Sequence, residues 1–303
     1  MAVNTKAIQS RISSVKSTKK ITKAMEMISA VKMRKATANV LATRDYASLA
    51  WQILADIAQK TDINLHPLLR KNNESHKIGV ILITGNRGLA GGFTSRLLSE
   101  IHQSFKNIKQ ENQTIEMLVL GKKGRKIHQQ FGYNILADFL KIDLTTKIEE
   151  IRPLSQMAIN DYIAKKFDAI YLAFMDFESA VIQTPRIKRL LPLTEIADEH
   201  LGQTNKTKEE NEISKNKFEF KFEPNPEETL KALLPRLVEM QIYQAILESD
   251  ASEHSARMVS MKNASEAAED MIAELQHSFN QARQSAITRE ISEIVGGAAA
   301  LSG

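Results

Sequence analysis

Eight residues, Gly85-Asn86-Arg87-Gly88-Leu89-Ala90-Gly91-Gly92, form the stretch of this chain best placed for phosphate chemistry. They follow an apolar run of strand length (78–84, IGVILIT) and precede an amphipathic segment. Backbone amides at such a strand-to-helix turn can face an anion. The stretch lacks the Gly-Lys-Ser/Thr ending of a phosphate loop, however, and does not match G-x-G-x-x-G. Gly121-Lys122-Lys123-Gly124 is a weaker version of the same idea. Gly85, Gly88, Gly91 and Gly92 therefore read as structural, in a tight turn that needs positive φ or close backbone approach.

The other reactive side chains form no constellation. His66, His76, His102, His128, His200, His254 and His277 are scattered without H-x-x-x-H spacing, and the chain has no cysteine. Neither a metal site nor a disulfide is expected. No G-x-S-x-G occurs, and the carboxylate pairs Glu149-Glu150 and Glu227-Glu228 stand at expected helix starts. No catalytic residues and no cofactor are expected. The sequence points to a mechanical or scaffolding protein.

The elements that position the glycine turn alternate in type. Apolar runs at 78–84, 115–121 and 168–177 read as buried strands. Helical periodicity at about 94–106, 122–131 and 154–166 separates and follows them. This alternation predicts an α/β domain with a parallel core, Rossmann-like, over residues 75–223. Further strands are expected at 180–190 and 217–222 as a hairpin or edge, and the polar stretch 202–216 reads as an exposed, mobile loop.

On either side of this domain the pattern changes. From Gln241 to Val295 there is neither proline nor glycine. Leu230, Leu233, Leu234, Leu237, Val238, Met271, Ile272, Leu275, Phe279, Ala282, Ala286, Ile291 and Ile294 recur at spacings that form one helical stripe. A helix over 227–301 is roughly 100 Å long and needs something to lie against. The comparable segment is residues 4–57, with Asn4 as N-cap and an apolar face at Ile21, Ala24, Met25, Ile28 and Val31. Residues 1–57 hold ten Lys/Arg against three Asp/Glu, and residues 227–303 hold six against twelve. Opposite charge on two long helices suggests an antiparallel coiled coil made of 1–57 and 224–303, with the α/β domain inserted between its halves. Pro224 and Pro226 mark the start of the second helix, while Pro235 should kink or restart it. The C-terminal helix is the longer, so its tip should overhang. Ile294 to Gly303 carries no charge, which suits the inside of a partner better than water.

Composition narrows the classes further. No apolar run reaches the roughly 18–20 residues of a membrane helix, and the start of the chain lacks a signal core. The net charge is a modest +5. Lys16, Lys19, Lys20, Lys23 and Arg34 make a basic stripe, but no aromatic residues accompany it as stacking partners for bases. A coiled-coil adaptor and a nucleic-acid binder remain as alternative classes.

Three blocks resemble the γ subunit of the rotary, proton-translocating ATP synthase, bacterial type. They are Lys20-Ile-Thr-Lys-Ala-Met-Glu-Met27 with Lys32-Met-Arg-Lys35; Asn86-Arg-Gly-Leu-Ala-Gly-Gly92, similar to the family's D-R-G-L-C-G-G; and Ala256-Arg-Met-Val-Ser-Met-Lys262 with Ala282-Arg-Gln-Ser-Ala-Ile-Thr-Arg-Glu-Ile-Ser-Glu-Ile-Val-Gly-Gly-Ala-Ala-Ala300. Asn86 and Ala90 depart from the family's usual Asp and Cys. The resemblance implies a central rotor shaft inside three α and three β subunits. It also implies a foot bound to the ε subunit and the membrane c ring, with ATP chemistry on β. It implies β-subunit contacts at Lys20, Lys23, Met25, Arg257, Gln284 and Thr288. It further implies a peripheral place on the cytoplasmic face of the inner (plasma) membrane, without nucleic acid and without homo-oligomers.

Overall fold

The computed structural model describes residues 5–60, 63–108, 113–144, 147–193 and 225–302 of the chain. The expected cap Asn4, loop 202–216 and strand 217–222 lie outside the described residues. Two long helices, α1 (Thr5–Lys60) and α5 (Pro226–Ser302), enclose an α/β region in chain order. That region runs β1 (Lys77–Ile83), α2 (Phe93–Ile108), β2 (Thr114–Leu120), α3 (Lys126–Phe131), β3 (Asn134–Phe139), α4 (Arg152–Ile163), β4 (Ala169–Phe177) and β5 (Gln183–Leu191). The chain divides into two compact units, one of residues 1–29 with 257–303 and one of residues 30–256.

In the larger unit the strands form one sheet in the order β3-β2-β1-β4-β5. β1 pairs in parallel with β2 and with β4, β2 pairs in parallel with β3, and β5 closes the edge antiparallel to β4. Alternate side chains leave each strand on opposite faces. Val80, Leu82, Met117, Val119, Ala173 and Met175 pack with Phe93, Leu97, Ile101 and Phe105 of α2. Ile81, Ile83, Leu118, Leu120, Leu172 and Phe174 share the other core with Leu154, Ala158 and Tyr162 of α4. Ala36 and Val40 of α1 and Leu230, Leu234, Val238, Ile242 and Ile246 of α5 join that second core. Three layers result, with the sheet buried on both sides, and this is why its central strands read as unbroken apolar runs.

One edge explains what the periodicity missed. β3 is a six-residue edge strand, and its residues alternate between exposed and partly exposed. Asn134 and Asp138 hide its strand character. β5 carries Pro185, Arg186, Lys188 and Arg189, residues that only an edge strand accommodates. The segment expected as one helix at 122–131 begins as a 3-10 turn, Lys122–Arg125, before α3. At the start of α5, Asn225 Oδ1 accepts the Glu228 N–H at 2.8 Å and Pro226 takes the first helical position. The helix does not restart at Pro235 but runs through it.

In the smaller unit the two helices run antiparallel. Thr22 and Ser265 hydroxyls meet at 2.7 Å, and Lys19 Nζ reaches Glu269 Oε1 at 3.0 Å. The seam follows a three-four spacing through Ile12, Val15, Lys19, Thr22, Glu26 and Ser29 on α1. On α5 it follows Met261, Ser265, Ala268, Ile272, Leu275, Phe279 and Ala282. The face expected on α1 was different: Ile21, Ile28 and Val31 are each more than half exposed. Thr22, Ser29 and Ser265 are buried in that stretch of the seam, while Ile21, Ile28 and Val31 point away from it. From Arg283 to Ala298 every residue is exposed, so the tip of α5 has no cover among the described residues.

Candidate functional site

In an open parallel sheet, ligands bind beyond the C-terminal ends of the strands, where the strand order reverses. Here that reversal lies between β1 and β4, and the glycine turn leaves β1 at this end. The crevice is filled by the chain itself. Ser252 Oγ of α5 donates to the Met175 carbonyl at 3.3 Å, and Ser255 Oγ donates to the Ala180 carbonyl. Between them Glu253 projects at the turn. A Cβ on Gly85 would lie 2.5 Å from the Glu253 carboxylate, so glycine is required by close approach.

A buried charge cluster holds that carboxylate in place. Lys141 Nζ stands 2.6 Å from Asp250 Oδ1 and 3.1 Å from Glu253 Oε2, all three side chains being at most 5% exposed. Burial pulls the Lys141 ammonium towards neutrality, but the charges of Asp250 and Glu253 outweigh it and hold its pKa above the ordinary value. Asn86 then ties the turn down from both ends of its amide. Its Nδ2 donates to the Lys141 carbonyl at 2.5 Å, and its Oδ1 accepts the Lys122 N–H at 3.2 Å. A carboxylate has no N–H for the first of these bonds, so asparagine is the side chain that fits. Beside it, burial alone would raise the Asp143 pKa, but Lys32 and the Arg87 guanidinium at 3.8 Å hold it below the usual value.

At Gly85 a ligand would meet the buried Glu253 carboxylate. The adjoining cavity, lined by Arg87, Thr94, Ser95, Lys123 and Lys126 among others, encloses only about 160 Å³, against roughly 300–1,000 Å³ for ordinary ligand pockets. Among the described residues no group of three His, Asp or Glu is placed to hold a metal ion. Gly91 takes a positive φ of 54°, whereas Gly88 and Gly92 show neither positive φ nor a crowded Cβ position.

The residues expected to meet a partner separate into two kinds. Lys20, Lys23, Gln284 and Thr288 are exposed and Met25 is half-buried. Lys23 Nζ pairs with Glu26 of its own helix at 3.0 Å. Arg257 is turned inward and only 5% exposed. The Lys141 cluster was not expected from the sequence. Its one signal is acidic residues three apart, Asp250 and Glu253, inside a helix segment that is buried all round from Gln241 to Arg257.

The sequence matches the family model described as ATP synthase over residues 4–301. It is 37% identical over 299 residues to the ATP synthase gamma chain of Roseiflexus castenholzii, covering 98% of each chain. It is 38% identical over 301 residues to that of Chloroflexus aurantiacus, covering 98% of this chain and 99% of the relative. The chain belongs to the ATP synthase family, among its gamma chains. Its fold is similar to a chain of the Euglena gracilis mitochondrial ATP synthase OSCP/F1/c-ring structure in rotational state 3. The TM-score there is 0.65 at 15% identity, over 98% of this chain and 94% of that one. A chain of the Tetrahymena thermophila mitochondrial ATP synthase central stalk and c ring gives 0.59 at 21% identity, over 81% and 99%.

Proposed function

We propose that this chain is the central rotor shaft of a proton-translocating ATP synthase and contributes no catalytic residue of its own. Residues 1–57 and 224–303 are the coiled-coil shaft and residues 75–223 the foot. The shaft turns inside three α and three β subunits, while the foot binds the ε subunit and the membrane c ring. Rotation of the ring is thereby passed to the β subunits, where ATP is made. The protein works peripherally at the cytoplasmic face of the inner (plasma) membrane. Among the described residues no helix is long and apolar enough to cross a membrane, which agrees with a peripheral place.

The observation that carries this reading is the bare tip of α5. Ile287, Ile291, Ile294 and Val295 are 47%, 55%, 71% and 62% exposed on a helix that has no partner there among the described residues. Four large apolar side chains along one helix end mark a surface meant to be enclosed. The self-filled crevice supports the same reading, because it leaves the α/β region as a rigid foot.

Gln284 and Thr288, four apart on one helix face, test it. The chain is assembled with α, β and the remaining subunits of a bacterial ATP synthase, and proton pumping per ATP hydrolysed is measured in vesicles. Gln284→Ala with Thr288→Ala is expected to lower that ratio at least about twofold, while the isolated variant unfolds like wild type. Both residues are exposed, so no loss of fold confuses the result. An unchanged ratio in the assembled variant would refute the assignment of these contacts, and failure of the wild type to restore pumping would refute the shaft.

A further inference from the structure

A second cavity lies in the larger unit, at the opposite end of the sheet from the glycine turn. β1 and β4 begin side by side there, and β5, running antiparallel to β4, brings its last residues to the same end. The cavity encloses about 360 Å³, and Lys71, Asn72, Gln113, Asp168, Tyr171 and Arg189 are among the residues that line it. That volume falls within the roughly 300–1,000 Å³ of ordinary ligand pockets. Its walls are held in place. Tyr171 and Arg189 are cross-strand partners, and the Tyr171 ring, only 7% exposed, meets Phe105 edge-on at 5.4 Å. Asn72 Nδ2 donates to the Tyr162 and Phe167 carbonyls, each at 3.1 Å.

The hydroxyl of Tyr171 decides what the cavity can hold. Arg189 donates to it twice, from Nε at 3.2 Å and from Nη2 at 2.8 Å. A hydroxyl oxygen has two lone pairs, and both are used here. Its own hydrogen therefore points away from the guanidinium, and it meets no acceptor among the described residues. A buried donor needs an oxygen to accept it, and the guanidinium beside it favours an oxygen that carries negative charge. Of the charged residues in the lining, Lys71 and Arg189 are positive and Asp168 is negative. Asp168 opposes an anion, although its Oδ1 already accepts the Ser75 N–H at 3.1 Å and the Ser75 hydroxyl at 3.0 Å. Two positive charges against one suit a ligand with a single negative charge. We propose that this cavity binds a phosphate group bearing one negative charge, with the Tyr171 hydroxyl donating to a phosphate oxygen and Arg189 and Lys71 supplying the positive field. Dihydrogen phosphate and the phosphodiester of a phospholipid headgroup share that chemistry. The site is separate from the glycine turn and does not depend on the rotor reading.

The test follows the Tyr171 ring by NMR in the full-length chain carrying ¹³C-labelled tyrosine, its resonance being the one missing from Tyr171→Phe. Sodium phosphate at mildly acidic pH, where it is largely a monoanion, and dihexanoyl phosphatidylglycerol below its micelle concentration are added in separate titrations. Ionic strength is held constant with sodium chloride. The Tyr171 resonance is expected to shift saturably, and the compound that moves it names the source of the phosphate group. In Arg189→Gln the same shift should need at least about tenfold more of that compound, the loss expected for a charged hydrogen bond. A Tyr171 resonance that follows neither compound, or that moves as far with chloride, overturns the proposal. Equal affinity in wild type and Arg189→Gln also overturns it. Should Arg189→Gln not fold, Lys71→Ala at an exposed position serves instead: binding should weaken about twofold or more, and unchanged affinity overturns the site.

Discussion

Gly85→Ala probes the self-filled crevice most directly, because its cost can be worked from three distances. Gly85 has ordinary negative φ, so alanine is not strained by the backbone, and the smaller unfolded ensemble alone should favour it by ~0.4–1 kcal/mol. The added Cβ lies 2.5 Å from Glu253 Cδ and from Oε1, and 2.7 Å from Oε2. Glu253 cannot swing into water, since it is 4% exposed and tied to Lys141 at 3.1 Å. Forcing a methyl into a packed site costs ~1–3 kcal/mol, and displacing the carboxylate from its ammonium adds ~1.5–3 kcal/mol. The expected net loss is about 2–5 kcal/mol. Glu253→Ala alone loses the charged bond but leaves Lys141 paired with Asp250. In the double variant the clash is gone, so it should be ~0.4–1 kcal/mol more stable than Glu253→Ala alone. Urea unfolding followed by circular dichroism measures this, since Gly85 and Glu253 belong to the same compact unit. Additive losses in the double variant would refute the steric argument.

Two further substitutions test the helices. Pro235→Ala restores an N–H for the Lys231 carbonyl inside a continuous helix and should stabilise the chain by ~1–3 kcal/mol, read as a higher urea midpoint; a lower midpoint would show that the proline ring packs better than its missing bond costs. Leu275→Ala with Phe279→Ala removes two half-buried seam residues. It should destabilise the smaller unit by ~2–4 kcal/mol, below the range for two fully buried side chains, and unchanged thermal melting of the pair would place the seam elsewhere.

The long elements were legible in the sequence because one force shaped them. Strands buried on both faces left unbroken apolar runs, and a helix of this length left a periodic stripe. The seam on α1 was misread because amphipathicity has two causes there. Ile21, Ile28 and Val31 are periodic and apolar, yet they face away from a seam built on Thr22 and Ser29. A stripe in the sequence records what is covered in the working assembly, not which neighbour covers it. β3 was missed because an edge strand with alternate residues exposed needs little hydrophobicity. In the glycine turn, Gly91 takes a positive φ and Gly88 and Gly92 do not, while the reason for Gly85 lies at Glu253, far along the chain. The same separation hid Lys141 with Asp250 and Glu253. No periodicity links such residues, and each looks like a surface polar until the fold brings it to its partner.

The uncovered end of α5 has a consequence for supply. A chain made in excess of its partners carries a row of large apolar side chains on a lone helix into solution. The cheapest shelter available to it is the same row on another copy. Free chains should therefore self-associate in proportion to their concentration, and α and β subunits added in time should dissolve the association. Production of this subunit is then safest when it never outruns the subunits that receive its tip.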